Sequence, residues 1–147
     1  VFFQWSYGND VMNANRIYLE GNQTNRPALN QFKSYADRWT PDNTDSKMFR
    51  AGGQGPVGFY SSRTLEDGSF LRLKTLQLSY NLSARACRYI GVQNLSVYIS
   101  GQNLFTWTDY SGMDPEVSVR NSALTPGFDY SAYPRSRTYV FGVKVTF

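Results

Sequence analysis

The chain has no histidine and a single cysteine, Cys87. Without histidine it lacks the commonest general base and the commonest metal ligand. Ser-His-Asp, Cys-His and His-metal sites therefore cannot be assembled from this chain alone. One cysteine excludes an internal disulfide. No stretch of about 18 consecutive apolar residues occurs, which excludes a transmembrane helix but not a membrane crossed by strands. The net charge is +4, yet no dense basic run appears. Scattered cations argue against a nucleic-acid partner. The chain opens on Val1 with neither methionine nor a signal peptide, as a mature protein or the tail of something longer would, and the tail is the preferred expectation.

What is present is aromatic. Of the 147 residues, 11 are Tyr, 10 are Phe and 3 are Trp, in a chain whose mean hydropathy is negative. Many aromatics among polar residues suit strands with one apolar face joined by hydrophilic loops. A transmembrane barrel has that composition, and so does a soluble carbohydrate-binding β-sandwich. Alternation separates them. In the segment 137–147, Tyr139, Phe141, Val143, Val145 and Phe147 share one face, with Thr138, Val140, Gly142, Lys144 and Thr146 on the other. Ten such residues, tilted, cross a bilayer. The segment 94–110 alternates in the same way, with Leu95, Val97, Ile99, Phe105 and Trp107 on its apolar face. So does 1–7, with Val1, Phe3, Trp5 and Tyr7. In 69–82, Leu76, Leu78, Tyr80 and Leu82 share a face, but Leu71 and Leu73 have the opposite parity. Either a bulge lies near Lys74-Thr75, or Leu71 and Leu73 face inward with Arg72 and Lys74 above the membrane. The second needs no register change and is the preferred expectation.

The fold class expected is thus all-β: four antiparallel strands, about 1–7, 69–82, 94–110 and 137–147, forming the C-terminal part of a larger transmembrane β-barrel. Four strands cannot close, so the remaining barrel strands are required partners. The connections are long (8–68), short (83–93) and long (111–136). Barrels keep long loops outside and short turns in the periplasm. This makes 8–68 and 111–136 extracellular and 83–93 a periplasmic turn. Within the first loop, Asn9–Glu20 has few breakers and is predicted helical, and Gly21–Gln54 reads as irregular.

These elements carry a family resemblance. Tyr7-Gly-Asn-Asp10, Asn13-Ala-Asn-Arg16, Arg38-Trp-Thr-Pro-Asp-Asn43, Leu65-Glu-Asp-Gly-Ser-Phe-Leu-Arg-Leu-Lys74, Leu76-Gln-Leu-Ser-Tyr80, Val97 through Gly112, Asp114-Pro-Glu-Val117 and Tyr133-Pro-Arg135 follow one another in order. Together they resemble the C-terminal region of the SusC/RagA family of TonB-linked outer-membrane transporters of Bacteroidota. Cys87, in the periplasmic turn, and Phe49, where Pro is expected, depart from the pattern. The resemblance implies a barrel in the outer membrane with a plug, a TonB contact made through an N-terminal region not in this chain, and a SusD-like lipoprotein as lid. It implies import of glycans, oligosaccharides or peptides, no cofactor, and no enzymatic role.

Few residues stand out as sites. The terminal strand, through Gly142, Val145 and Phe147, resembles the signal read by the barrel-inserting machinery. An unpaired edge strand suits capture by strand addition. Trp39 and Tyr130, in loops, are candidate contacts to substrate or lid. Trp107 and Tyr110 are expected in the interfacial belt. Asp114-Pro115-Glu116 reads as loop structure rather than a catalytic carboxylate pair, and Asp37, Asp42 and Asp45 as solvated loop rather than calcium ligands.

Overall fold

In a computed structural model, residues 1–21, 30–51, 61–118 and 124–147 are described. Residues 22–29 and 52–54 of the expected irregular stretch 21–54 lie outside them. The elements in order are β1 (Phe2–Ser6), β2 (Asp10–Asn13), α1 (Ala14–Leu19), two 3-10 turns (Lys33–Asp37 and Ser62–Thr64), β3 (Leu65–Asp67), β4 (Phe70–Asn81), α2 (Ala84–Tyr89), β5 (Asn94–Thr108), β6 (Phe128–Asp129) and β7 (Thr138–Thr146). They form two compact units.

The first unit is a four-stranded antiparallel sheet in the order β1-β4-β5-β7. Directly opposed residues of antiparallel strands point to the same face. The register therefore assigns both faces. Leu78 opposes Ile99, and Ile99 opposes Phe141; Tyr80 opposes Val97, and Val97 opposes Val143. Trp5 opposes Leu71, and Leu71 opposes Trp107. Along Thr75–Asn81 one face is thus apolar across β4, β5 and β7, and the other carries Gln77, Ser79, Ser96, Ser100, Gln102, Thr138 and Lys144. Trp5, Leu71 and Trp107 share a face farther along β4.

A register shift falls at Lys74, where the preferred expectation needed none. Leu73 pairs with Phe105 and Thr75 with Gln102. One residue of β4, Lys74, thus stands against two of β5, Asn103 and Leu104. Asn103 takes φ 52°, a backbone that asparagine tolerates better than most residues. The extra residue lies in β5, so β4 keeps its own alternation, with Leu71 and Leu73 of opposite parity to Leu76, Leu78 and Tyr80. Arg72 is a ladder residue between Gln4 and Thr106, 1% exposed.

On the polar face the ring of Tyr98 lies over Gly142, its direct partner. A Cβ on Gly142 would come within 2.2 Å of Tyr98 Cζ. An aromatic covering a strand glycine helps to pin register. Gly142→Val should displace the ring and cost about 1–2 kcal/mol, typical of overpacking. Adding Tyr98→Ser should recover most of the loss in urea titrations of the folded barrel. A double variant no better than Gly142→Val alone would refute the ring contact as the cause.

The second unit comprises residues 8–68 and 110–133, the two long connections. It holds a three-stranded sheet, β3-β2-β6, with β2 antiparallel to β3 and parallel to β6. The helix expected over Asn9–Glu20 is therefore half strand: Asp10–Asn13 is β2, and only Ala14–Leu19 is helical. As the central strand, β2 has its backbone groups taken up by ladders on both sides. Val11, 0% exposed, packs in a small core with Tyr110 and Val117. Local propensity yielded to these long-range pairings.

Candidate functional site

The most extensive feature is the exposed apolar surface of the four-stranded sheet. Trp5, Leu78, Tyr80, Phe141 and Val143 are 65–74% exposed. A soluble protein rarely leaves an apolar patch of more than a few hundred Å² open to water. A barrel wall carries such a face toward lipid. At one end of β1, β4 and β5 lies an open groove of about 520 Å³, lined by Trp5, Tyr7, Phe70, Leu71, Trp107 and Asp109 among others. The rings of Phe105 and Trp107 stand 4.6 Å apart. An aromatic end to an apolar face has the form of an interfacial belt, in which amphipathic rings sit at headgroup depth.

Tyr110 does not belong to that belt. β5 stops at Thr108, and Tyr110 is buried in the second unit, its hydroxyl donating to Asp129 Oδ2 at 2.6 Å. Burial and the neighbouring Asp129 carboxylate push its hydroxyl well above the ordinary tyrosine value. It stays neutral, and donates, throughout the physiological range.

Two carboxylates organise the second unit. Glu66, next to Leu65 in β3, accepts from Asn13 Nδ2 (3.1 Å), Arg16 (3.0 Å), the Ser111 hydroxyl (2.9 Å) and the Ser111 N–H (2.9 Å). Glu20, just past α1, accepts from Arg16 (2.8 Å), Arg63 (2.9 Å) and the Ser34 hydroxyl (2.6 Å). Arg16 bridges the two. The cluster ties β2, α1, both 3-10 turns, β3 and the residues after β5 into one hub. Burial alone would raise both carboxylates. The hydrogen bonds from Ser34 and Arg16 to Glu20, and from Ser111 and Arg16 to Glu66, outweigh it and hold both below the usual range. Sequence reading quoted Asn13, Arg16 and Glu66 only as fragments of motifs. The i,i+4 spacing of Arg16 and Glu20 was a signal, but pairing with residues 50 positions away has none in a single sequence.

The sign of the acid response follows. With native values depressed, the two carboxylates stabilise the unit fully above their unfolded value, about 4.3. That stability is lost as pH falls below it, through the native values. Pepsin cleavage within 8–68 should stay slow at pH 5 and accelerate several-fold between about pH 4 and pH 2, beyond the enzyme's own pH dependence on an unfolded control. A flat corrected rate would sink this account of the hub.

The residues singled out from sequence are divided between the two units. Trp39, 36% exposed, sits on a bridge in which its N–H donates to Met48 O at 3.2 Å. Tyr130, 45% exposed, rests against Tyr18 with ring centroids 5.2 Å apart. Phe147 is 84% exposed and Val145 40% exposed on the apolar face, and Gly142 lies beneath Tyr98. Asp114 accepts from the Glu116 N–H at 2.9 Å, a local turn that needs no catalytic explanation. Asp37 accepts from Asn43 Nδ2 at 3.0 Å, also within its own loop.

No family model matches the chain. It is 39% identical over 151 residues to the TonB-dependent receptor P26 of Formosa agariphila, covering 99% of this chain and 15% of that protein. It is 31% identical over 107 residues to the TonB-dependent receptor SusC of Bacteroides thetaiotaomicron, covering 71% of this chain and 10% of SusC. The solved structure of the RagAB peptide transporter superposes with a TM-score of 0.80 at 29% identity, over 99% of this chain and 15% of that one. The chain thus spans about a seventh of the length of these receptors, and its sheet matches a section of barrel.

Proposed function

We propose, from a chain that belongs to the SusC/RagA family of TonB-dependent receptors, that its four long strands are wall strands of an outer-membrane importer of oligomeric nutrients. The observation that carries this is the exposed apolar face shared by β4, β5 and β7, with Trp5, Leu71 and Trp107 exposed together where β1 joins the sheet. The cargo is a glycan, an oligosaccharide or a peptide, in keeping with the likeness to SusC and to a peptide transporter. The plug and the TonB contact belong to the rest of such a transporter. A SusD-like lipoprotein covers the loops, with Trp39 and Tyr130 as contacts to cargo or lid. The two long connections face outward and the α2 turn faces the periplasm, because barrels distribute loops in that way. This segment performs no covalent chemistry of its own. β7, at one edge of the sheet, supports assembly through Gly142, Val145 and Phe147.

Fractionation tests it. The full transporter carrying this segment should sediment with outer membranes, resist carbonate extraction and run as a heat-modifiable band. Phe147→Ser should lower the amount of that folded band several-fold at unchanged synthesis. Release into the soluble fraction without detergent would overturn the transporter reading in favour of a soluble sugar-binding domain.

A further inference from the structure

The charge of this chain is segregated. From Gly68 to Thr108 there is no acidic residue, and none from Pro134 to Phe147. The four-stranded unit carries seven basic residues against Asp109 alone. Two of the seven, Arg85 and Arg88, lie on α2, the short helix that joins β4 to β5.

Its rotation about its own axis is fixed. Ser83 caps it, with the hydroxyl accepting from the Ala86 N–H at 3.4 Å. Cys87 is 1% exposed, its Sγ 3.7 Å from Leu82 O. Gly91, at φ 77°, ends it in the left-handed turn that glycine adopts freely, and the Val92 N–H donates to Cys87 O at 3.0 Å. With Cys87 turned in, positions 85, 88 and 89, spaced i, i+3, i+4, fall on the opposite side. Arg85 and Arg88 are exposed there, and neither makes an ion pair among the described residues. Tyr89 is 92% exposed and Ile90, beside it, 53%.

We infer that this stripe is a docking site for the phosphate headgroups of anionic phospholipid in the leaflet at the α2 end of the barrel. The inference rests on the membrane-wall function proposed above. Two guanidiniums with no competing carboxylate on their helix or on β4 or β5 complement phosphate in charge and in fork geometry. A tyrosine and an isoleucine beside them match the headgroup–acyl boundary, where a ring is wetted at one end and apolar at the other. A solvated helix face would be served by the arginines, but gains nothing from exposing Tyr89 and Ile90 beside them. An acidic periplasmic protein is the competing occupant.

The test uses the full transporter, purified and reconstituted into nanodiscs of phosphatidylcholine with a minor fraction of phosphatidylglycerol. Lipid retained on release is measured by native mass spectrometry. The protein should enrich phosphatidylglycerol, and Arg85→Ala with Arg88→Ala should reduce that enrichment about tenfold or more, each arginine near an anionic surface being worth roughly fivefold. An environment-sensitive dye on Tyr89→Cys should report an apolar surrounding in these discs and a wetter one in the double-alanine background. Unchanged enrichment, or a dye in water in both backgrounds, overturns the inference and leaves the stripe to solvent or to a protein. Heat-modifiability of each variant is read first. A wild-type protein that forms no folded barrel would defeat the underlying function, whereas a folded barrel without the lipid preference defeats only the docking site.

Discussion

Ile99→Arg in the full transporter should abolish most of the folded, heat-modifiable barrel, while Ser100→Arg, one residue along, should be tolerated. Ile99 stands on the apolar face between Leu78 and Phe141, near the middle of β7's span. An arginine facing lipid near the bilayer midplane costs about 2–4 kcal/mol. The lost burial of isoleucine adds to that. Ser100 opposes Gln77 and Val140 on the other face, where a lumen can solvate a charge. Folding into vesicles, followed by urea titration, measures both. Equal effects at the two positions would remove the lipid from one side of this sheet. In a soluble sandwich the exposed Ile99 position would accept the arginine, so the pair also discriminates the two architectures.

Glu20→Gln should loosen the second unit by about 2–3 kcal/mol. Glu20 is 5% exposed and receives two arginines that are themselves three-quarters covered. Removing one partner from a buried ion pair typically costs 3–5 kcal/mol, reduced here because both arginines retain some water. Arg16 keeps Glu66, but Arg63 loses its carboxylate. Hydrogen exchange should therefore speed up around Ser62–Thr64 and Lys33–Asp37 more than in β4 or β5. The reverse gradient would show that Glu20 is not what holds these turns. Glu66→Gln should instead free the segment at Ser111, whose N–H and hydroxyl both end on that carboxylate.

The two substitutions mark the boundary of what a single sequence can reveal. Period-two alternation fixed the faces of β7, because a pleated strand must place Tyr139, Phe141 and Val143 together whatever surrounds it. The many aromatics, the acid-free segment 68–108 and the ordered motifs were equally plain in the sequence. Where β4 changes parity, the sequence admitted a bulge or an uninterrupted register, and only the partner strand revealed the shift, in which Asn103 and Leu104 of β5 stand against Lys74. The same applies to β2. Asn9–Glu20 has the residues of a helix, and its first half becomes a strand because β3 and β6 lie on either side of it. Tyr110 moved from an expected membrane belt to a buried hydrogen bond with Asp129, 19 positions away. Local pattern is enough where one residue's neighbours in sequence set its environment. The hub of Arg16, Glu20, Arg63 and Glu66, the ring of Tyr98 over Gly142 and the bulge at Lys74 depend on partners brought together by the chain's return. Those were decided by tertiary structure alone.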